Sequence, residues 1–193
     1  VTDNPIILGG GETISGGNFH GQPLAIPLDY ASVAAAELGN ISDRRSYLII
    51  EGRYGLPKLL MEDAGLNSGF MIPQYSSAAL VSENKGLCFP ASADSIPTSL
   101  GQEDHVSMGV HAALKAREAV RIVQSLLAIE LLTAAQALEF LKPLRPGRRA
   151  GRAYDMVRER VAPLERDRVL AGDIAALEDL VREGLLAELW RSE

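Results

Sequence analysis

A dense group of polar residues, Gln102–Glu103–Asp104–His105, lies directly before the most apolar stretch of the chain. A carboxylate such as that of Glu103 can accept a hydrogen bond from a ligand N–H or take up its proton. The group also has a purely structural interpretation, because acidic residues in the first turn of a helix are stabilised by the helix macrodipole. Spacing alone favours the structural interpretation.

The glycine-rich opening of the chain contains a second unusual group. In Ser15–Gly21 (SGGNFHG), the ring of Phe19 stands between polar and flexible neighbours. A phenylalanine in a loop is costly to expose unless something covers it. We therefore treat Phe19 as a candidate contact residue.

Three other kinds of chemistry are disfavoured. Gly11–Gly17 has the outer glycine spacing of a phosphate-binding loop, but Gly17 stands where such a loop requires lysine. His20, His105 and His111 lack the four-residue spacing that places two imidazoles on one helical face, so we expect no metal site. No serine lies in a Gly-x-Ser-x-Gly segment, the pattern of a hydrolase nucleophile.

The charge distribution argues against nucleic-acid binding. The 193-residue chain carries 19 Lys and Arg against 25 Asp and Glu, a net charge of -6. Residues 142–168 are locally basic, but acidic residues are interleaved with the basic ones, as in Glu165–Arg166–Asp167–Arg168. This pattern favours a solvated helix face with ion pairs.

The composition predicts a cytoplasmic protein. Hydrophobic residues make up 47% of the chain and aromatic residues only 5%, so small and aliphatic side chains dominate, which favours closely packed helices. The single cysteine, Cys88, cannot form an internal disulfide, which fits a reducing compartment. Polar residues interrupt the most apolar stretch, Ile122–Leu138, so we expect no membrane partner.

Hydrophobic spacing and turn-forming residues predict an all-α fold. We expect a loop over residues 1–21, long core helices over 22–141 and shorter peripheral helices over 142–193. Dense turn formers predict a connection over 89–101. The predicted helices run from Gln22 to about Ile50, from about Asn67 to Leu87, from about Gln102 to Leu141, from about Arg149 to Val161 and from about Asp173 to Trp190.

The third predicted helix has too few polar residues between Ala119 and Leu141 to form a broad solvated face. A helix of this kind is surrounded by others, and a chain of this length offers few. We therefore expect its surface to be covered by other sequence or other subunits, and to drive association if left exposed.

Five motifs occur in a characteristic order along the chain, and in order and spacing they resemble those of histidine ammonia-lyases. The motifs are Ser15–Gly21 (SGGNFHG), Leu66–Met71 (LNSGFM), Ser82–Lys85 (SENK), Pro90–Ser99 (PASADSIPTS) and Gln102–Met108 (QEDHVSM). The similarity covers nearly the whole chain and weakens after Leu141.

The resemblance implies a long-helix bundle of the aromatic ammonia-lyase type, incomplete in this chain, which forms a homotetramer with shared active sites. It implies elimination of ammonia from L-histidine to give trans-urocanate, with a methylidene-imidazolone as electrophile and no metal. The Ala-Ser-Gly tripeptide that forms this group does not occur here, nor do the family's catalytic tyrosine and its Gln-x-x-Tyr-x-x-Arg segment. We expect a carboxy-terminal part that needs the remaining polypeptide and identical subunits, and is inactive alone.

The resemblance also assigns roles to residues. Phe19 corresponds to the phenylalanine beside the prosthetic group and the substrate ring. Glu103 corresponds to the catalytic and substrate-binding acid that faces the imidazole, where lyases acting on phenylalanine or tyrosine carry glutamine. Gln102 is a further substrate-binding candidate near the prosthetic group.

Two alternatives remain open. A related aromatic amino-acid ammonia-lyase or aminomutase would share the prosthetic group and differ in its pocket. An inactive helical assembly module would keep the packing and lack the chemistry.

Overall fold

The computed structural model describes residues 4–191, with side chains up to residue 189. Helices dominate these residues, which confirms the predicted all-α class. The elements in chain order are β1 (Ile6–Ile7), β2 (Thr13–Ile14), α1 (Gln22–Ile50), α2 (Met71–Leu87), α3 (Gly109–Phe140), α4 (Arg148–Arg158), α5 (Ala171–Arg182) and α6 (Leu185–Arg191).

The opening segment differs from the predicted loop. β1 and β2 form a short antiparallel hairpin in which Ile6 pairs with Ile14. Hydrogen bonds between Leu8 and Glu12 and between Gly11 and Leu8 close the hairpin turn. The hairpin is too short to produce an alternating hydrophobic pattern, which is why the sequence gives no signal for it.

The chain forms two compact units. The first contains residues up to 35 together with residues 85–120, and the second contains residues 36–84 together with those from 121 onward. α1, α2 and α3 contribute residues to both units.

Several predicted helix boundaries are confirmed and others are wrong. α1 has the predicted bounds and α2 ends at Leu87 as predicted, but α2 begins at Met71 instead of about Asn67. α3 begins at Gly109 instead of about Gln102, because residues 102–108 form a turn and a loop before the helix. The last predicted helix is two helices, since Gly184 adopts a left-handed conformation (φ 73°) that ends α5 and separates it from α6.

The apolar half of α3 is covered within this chain. Every residue from Ile122 to Phe140 is buried or half-buried. Over the predicted range Ala119–Leu141, Val120 and Arg121 are exposed and the other residues are buried or half-buried within this chain, so contact of this surface with other sequence or other subunits stays a prediction. α3 is also long and apolar enough to cross a membrane, but 56% of its apolar window is buried and a core helix of a soluble protein meets the same criteria.

Among the described residues, α1 carries more exposed large apolar side chains than any other helix. In the first unit, three large apolar residues of α1 recur at helical spacing on one side of the helix, which we call the α1 stripe: Ile26, Tyr30 and Val33. Large side chains exposed together in this way mark a surface for interaction.

The core of the second unit forms where α3 meets α4 and α5. Leu132 of α3 shares this core with Val157 of α4 and Leu177 of α5. On α1, Gly39 is required by close packing, because a Cβ atom there would come within 2.8 Å of the Leu126 side chain. Gly39, which the sequence marks only as a weak helix former, thus allows α1 to approach α3.

A buried glutamine of α3 fixes the segment that follows α4. Gln136 Nε2 donates to the carbonyl oxygen of Leu164, and the Leu164 N–H donates to Gln136 Oε1, both over 2.9 Å. Both residues are buried. The side chain of Gln136 thus pairs both backbone groups of Leu164.

Replacing Gln136 with leucine removes both bonds while nearly preserving volume. Because an unpaired buried donor or acceptor costs about 1–3 kcal/mol, we expect the free energy of unfolding of the whole protein to fall by roughly 2–5 kcal/mol. Urea denaturation followed by circular dichroism measures this loss. Gln124→Leu, at a half-buried position of the same helix, is the matched control and should change stability by less than about 1 kcal/mol. Equal stability of the two variants would contradict the assignment.

Candidate functional site

The three site residues predicted from the sequence line one cavity. The cavity has a volume of about 380 Å³ and lies within the first unit. Its lining consists of two short segments and one threonine: Phe19, His20, Thr98, Gln102, Glu103, Asp104, His105, Val106 and Ser107. The structure therefore brings Phe19, Gln102 and Glu103 together although more than 80 residues separate Phe19 from the others.

A backbone bridge to Thr98 positions Glu103. The Thr98 N–H donates to the Glu103 carbonyl oxygen over 3.0 Å, and the Glu103 N–H donates to the Thr98 carbonyl oxygen over 3.4 Å. Between them lies a single 3₁₀ turn, Ser99–Gly101. The chain thus folds back on itself immediately before α3.

The Glu103 carboxylate is held by neighbouring hydroxyl groups. Thr98 Oγ1 donates to Glu103 Oε2 over 2.5 Å. Hydrogen bonds from the Thr98 and Ser99 side chains lower the pKa of Glu103 below its ordinary value. The carboxyl group is therefore ionised at neutral pH and carries a full negative charge at the wall of the cavity.

This geometry contradicts the helix-cap interpretation of Glu103. The residue belongs to the bridge with Thr98 and lies six positions before Gly109, the first residue of α3. The macrodipole acts mainly on the first turn of a helix. Stabilisation of α3 therefore does not account for a glutamate at this position.

Aromatic rings form the other wall of the cavity. The Phe19 ring stacks on the His20 ring with 4.6 Å between centroids, and the His105 ring meets His20 edge to face at 5.0 Å. The Ser107 hydroxyl donates to the His20 carbonyl oxygen and fastens this segment. Phe19 keeps 45% of its surface exposed, so the ring has a free area that a ligand can cover.

Gln102 stands beside Glu103 at the end of the turn. Its N–H donates to the Ser99 carbonyl oxygen over 3.2 Å, while its side chain is exposed. An amide group in this position offers both a donor and acceptors to a bound molecule.

Sequence reasoning missed Thr98, His20 and His105 as parts of the site. Thr98 lies inside the Pro90–Ser99 motif, but no spacing rule connects it with Glu103. The two histidines were considered only as metal ligands. Among residues 4–191, no group of three or more His, Cys, Asp and Glu side chains could hold a metal ion.

The arrangement suits a flat, nitrogen-containing ring. A partly exposed aromatic face can pack against such a ring, and an ionised carboxylate can accept a strong hydrogen bond from its N–H group. The two features lie on separate segments that line one small cavity.

Comparisons with known proteins identify relatives of this chain. The histidine ammonia-lyase of Anaeromyxobacter sp. (strain K) is 58% identical over 186 residues, which are 95% of this chain and 37% of that protein. The crystal structure of histidine ammonia-lyase from Trypanosoma cruzi matches with a TM-score of 0.92 and 46% identity over 97% of this chain and 38% of that one. Tyrosine aminomutase from Streptomyces globisporus matches with a TM-score of 0.90 and 37% identity over 97% and 36%.

The chain thus spans little more than a third of the length of these relatives. The family model of aromatic amino acid lyases matches residues 1–159. This match covers most of the chain, including every residue of the cavity. The chain therefore belongs to the aromatic amino acid lyase family.

Proposed function

We propose that the whole protein eliminates ammonia from L-histidine to give trans-urocanate, and that this chain supplies the part of the active site that holds the imidazole ring. The observation that carries the proposal is the ionised carboxylate of Glu103 in the same cavity as the half-exposed ring of Phe19. The high identity to proteins named histidine ammonia-lyase supports it.

In this proposal each residue has a distinct task. Glu103 accepts the imidazole N–H of the substrate and orients the ring, and it can take up the proton of that group. Phe19 packs against the ring and excludes water. Gln102 contributes polar contacts beside the reacting group. In the elimination the C–N bond breaks, the neighbouring carbon loses a proton and a C=C bond forms.

The family's methylidene-imidazolone supplies an electrophile when it is present. The 193 residues contain no Ala-Ser-Gly tripeptide, so the group would have to come from sequence outside them. The exposed ring face of Phe19 and the amide of Gln102 fit a planar, uncharged group of this kind. We propose these two residues as its neighbours, and no metal.

The remaining proposals concern assembly and location. We propose that residues 1–21 form an active-site loop, 22–141 the long core helices and 142–193 the peripheral helices of one lyase domain. The α1 stripe supports contact with the rest of the polypeptide or with identical subunits, as in a homotetramer. We place the protein in the cytoplasm, without nucleic-acid or membrane partners, and expect the 193-residue chain alone to be inactive.

Glu103→Gln tests the proposal directly. The two side chains are nearly isosteric, so we expect the melting temperature of the whole protein to persist, while kcat/KM for histidine falls by about tenfold to a hundredfold because a charge-assisted contact is lost. Formation of urocanate, followed by its ultraviolet absorbance, measures the loss. The control is Glu62→Gln, which changes an exposed acid outside the cavity and should leave kcat/KM for histidine unchanged.

The Glu103→Gln variant and substrate tests of the unaltered protein together separate the alternatives. Unchanged kinetics on histidine in Glu103→Gln would refute the proposed role of the carboxylate. Release of ammonia from phenylalanine or tyrosine by the unaltered protein, without turnover of histidine, would instead identify a related lyase. Absence of turnover on all three amino acids would identify an assembly module.

A pH profile tests how Thr98 affects Glu103. The lowered pKa of Glu103 keeps the carboxylate charged at acidic pH, and activity that needs this charge is lost as the pH falls through the pKa. Thr98→Val removes a hydroxyl that lowers the pKa, so we expect the acidic limb of kcat/KM to move to higher pH. Thr98→Ser keeps the hydroxyl and should retain the original limb. Superimposable profiles for valine and serine would contradict this role.

A further inference from the structure

The segment Phe89–Ser92, which leads into the site, is held by side chains from two helices. Gln22 of α1 donates its Nε2 to the Ser92 carbonyl oxygen over 2.8 Å. The Ser92 N–H donates to Asp29 Oδ2 over 2.7 Å, and Lys115 of α3 donates to the Phe89 carbonyl oxygen. All of these residues belong to the first unit.

Asp29 is the centre of this network. The residue is only 7% exposed, and its second oxygen lies 3.3 Å from Lys115 Nζ. Burial raises the pKa of Asp29, but hydrogen bonds from Ser92, Ala91 and Lys115 outweigh that effect and hold the pKa below its ordinary value. A buried carboxylate thus stays ionised and accepts the backbone N–H of Ser92 at the end of the segment.

A buried ion pair of this kind is weak evidence for stability as such. The cost of removing both charges from water offsets much of their attraction, and apolar replacements are often as stable. The geometry instead fixes the backbone at Ser92, since Asp29 accepts its N–H while Gln22 donates to its carbonyl oxygen, and a displacement of this residue would lengthen both bonds.

The fixed segment continues directly into the candidate site. Three residues beyond Ser92, the Ser95 hydroxyl accepts the Val106 N–H over 3.1 Å, and Thr98 then bridges to Glu103. Residues 92–107 therefore form a loop whose two halves are joined by hydrogen bonds. Asp29 holds its first end, and the bond from Ser107 to His20 holds its second end.

We propose that Asp29 is a positioning residue for the reaction, which sets the place of the Glu103 carboxylate by anchoring the backbone of Ser92 to α1. The proposal rests on the proposed function, because it assigns Asp29 an effect only through Glu103. Asp29 itself does not line the cavity.

A double-mutant cycle in the whole protein tests the proposal. Asp29→Asn keeps the shape but removes the charge that binds the Ser92 N–H. We expect it to lower kcat/KM for histidine about tenfold when Glu103 is present and less than about twofold in the Glu103→Gln variant. We also expect the acidic limb of the Asp29→Asn profile to move to higher pH, because displacement of the loop weakens the bond from Thr98 to Glu103. Glu37→Gln, an exposed acid on the same helix, is the matched control.

The outcomes separate this proposal from the proposed function. If Glu103→Gln alone leaves activity unchanged, the proposed function fails. If Glu103→Gln is impaired, three results would show that Asp29 is not a positioning residue. In the first, the losses of kcat/KM from Asp29→Asn and Glu103→Gln multiply in the double variant. In the others, Asp29→Asn keeps full activity, or the acidic limb of its pH profile does not move. If circular dichroism shows that Asp29→Asn does not fold, Gln22→Leu replaces it in the cycle, because Gln22→Leu removes the hydrogen bond to the Ser92 carbonyl oxygen. The same criteria then apply to Gln22→Leu.

Discussion

Backbone N–H and C=O groups that lie outside a helix and away from water need a hydrogen-bond partner, and the fold depends on how this need is met. Helices pair their own backbone groups and offer only side chains to a neighbouring segment. In the first unit the partner is Asp29, which binds the segment before the site. In the second unit the partner is Gln136, which binds both the N–H and the carbonyl oxygen of Leu164. A loop residue, Asp167, does the same for the N–H groups of Ser68 and Gly69 before α2.

These side-chain anchors explain which parts of the fold the sequence predicts. The bounds of α1 follow from local composition, and local rules describe them well. The start of α3 does not, because Gln102–His105 contains no residue that prevents helix formation. Instead, the backbone of Thr98, four residues before Gln102, pairs with that of Glu103 and prevents the helix from starting there. No hydrophobic periodicity predicts this pairing. Likewise the scarcity of polar residues in α3 predicts that the helix is covered, but it does not predict that α4 and α5 of the same chain cover it.

The site follows the same division. Phe19, Gln102 and Glu103 were predicted by resemblance to a family, which carries long-range information that composition and spacing lack. Thr98, His20 and His105 line the same cavity, but each looks ordinary in its own segment of sequence. Their part in the site is a result of tertiary structure, in which the loop before α3 and the end of the opening segment meet.

The bridge between Thr98 and Glu103 has a consequence for how ring specificity can change among related proteins. Both hydrogen bonds of the bridge join backbone atoms, so this backbone pairing does not require a particular side chain at position 103, and the bond from Thr98 to the carboxylate is additional to it. The position is also exposed, so a new side chain need not be accommodated in a packed core. If position 103 meets the substrate ring, as proposed above, selection can exchange that group by changing one codon while this backbone pairing is kept. Such uncoupling of recognition from folding makes a single position a natural point of divergence within an enzyme family.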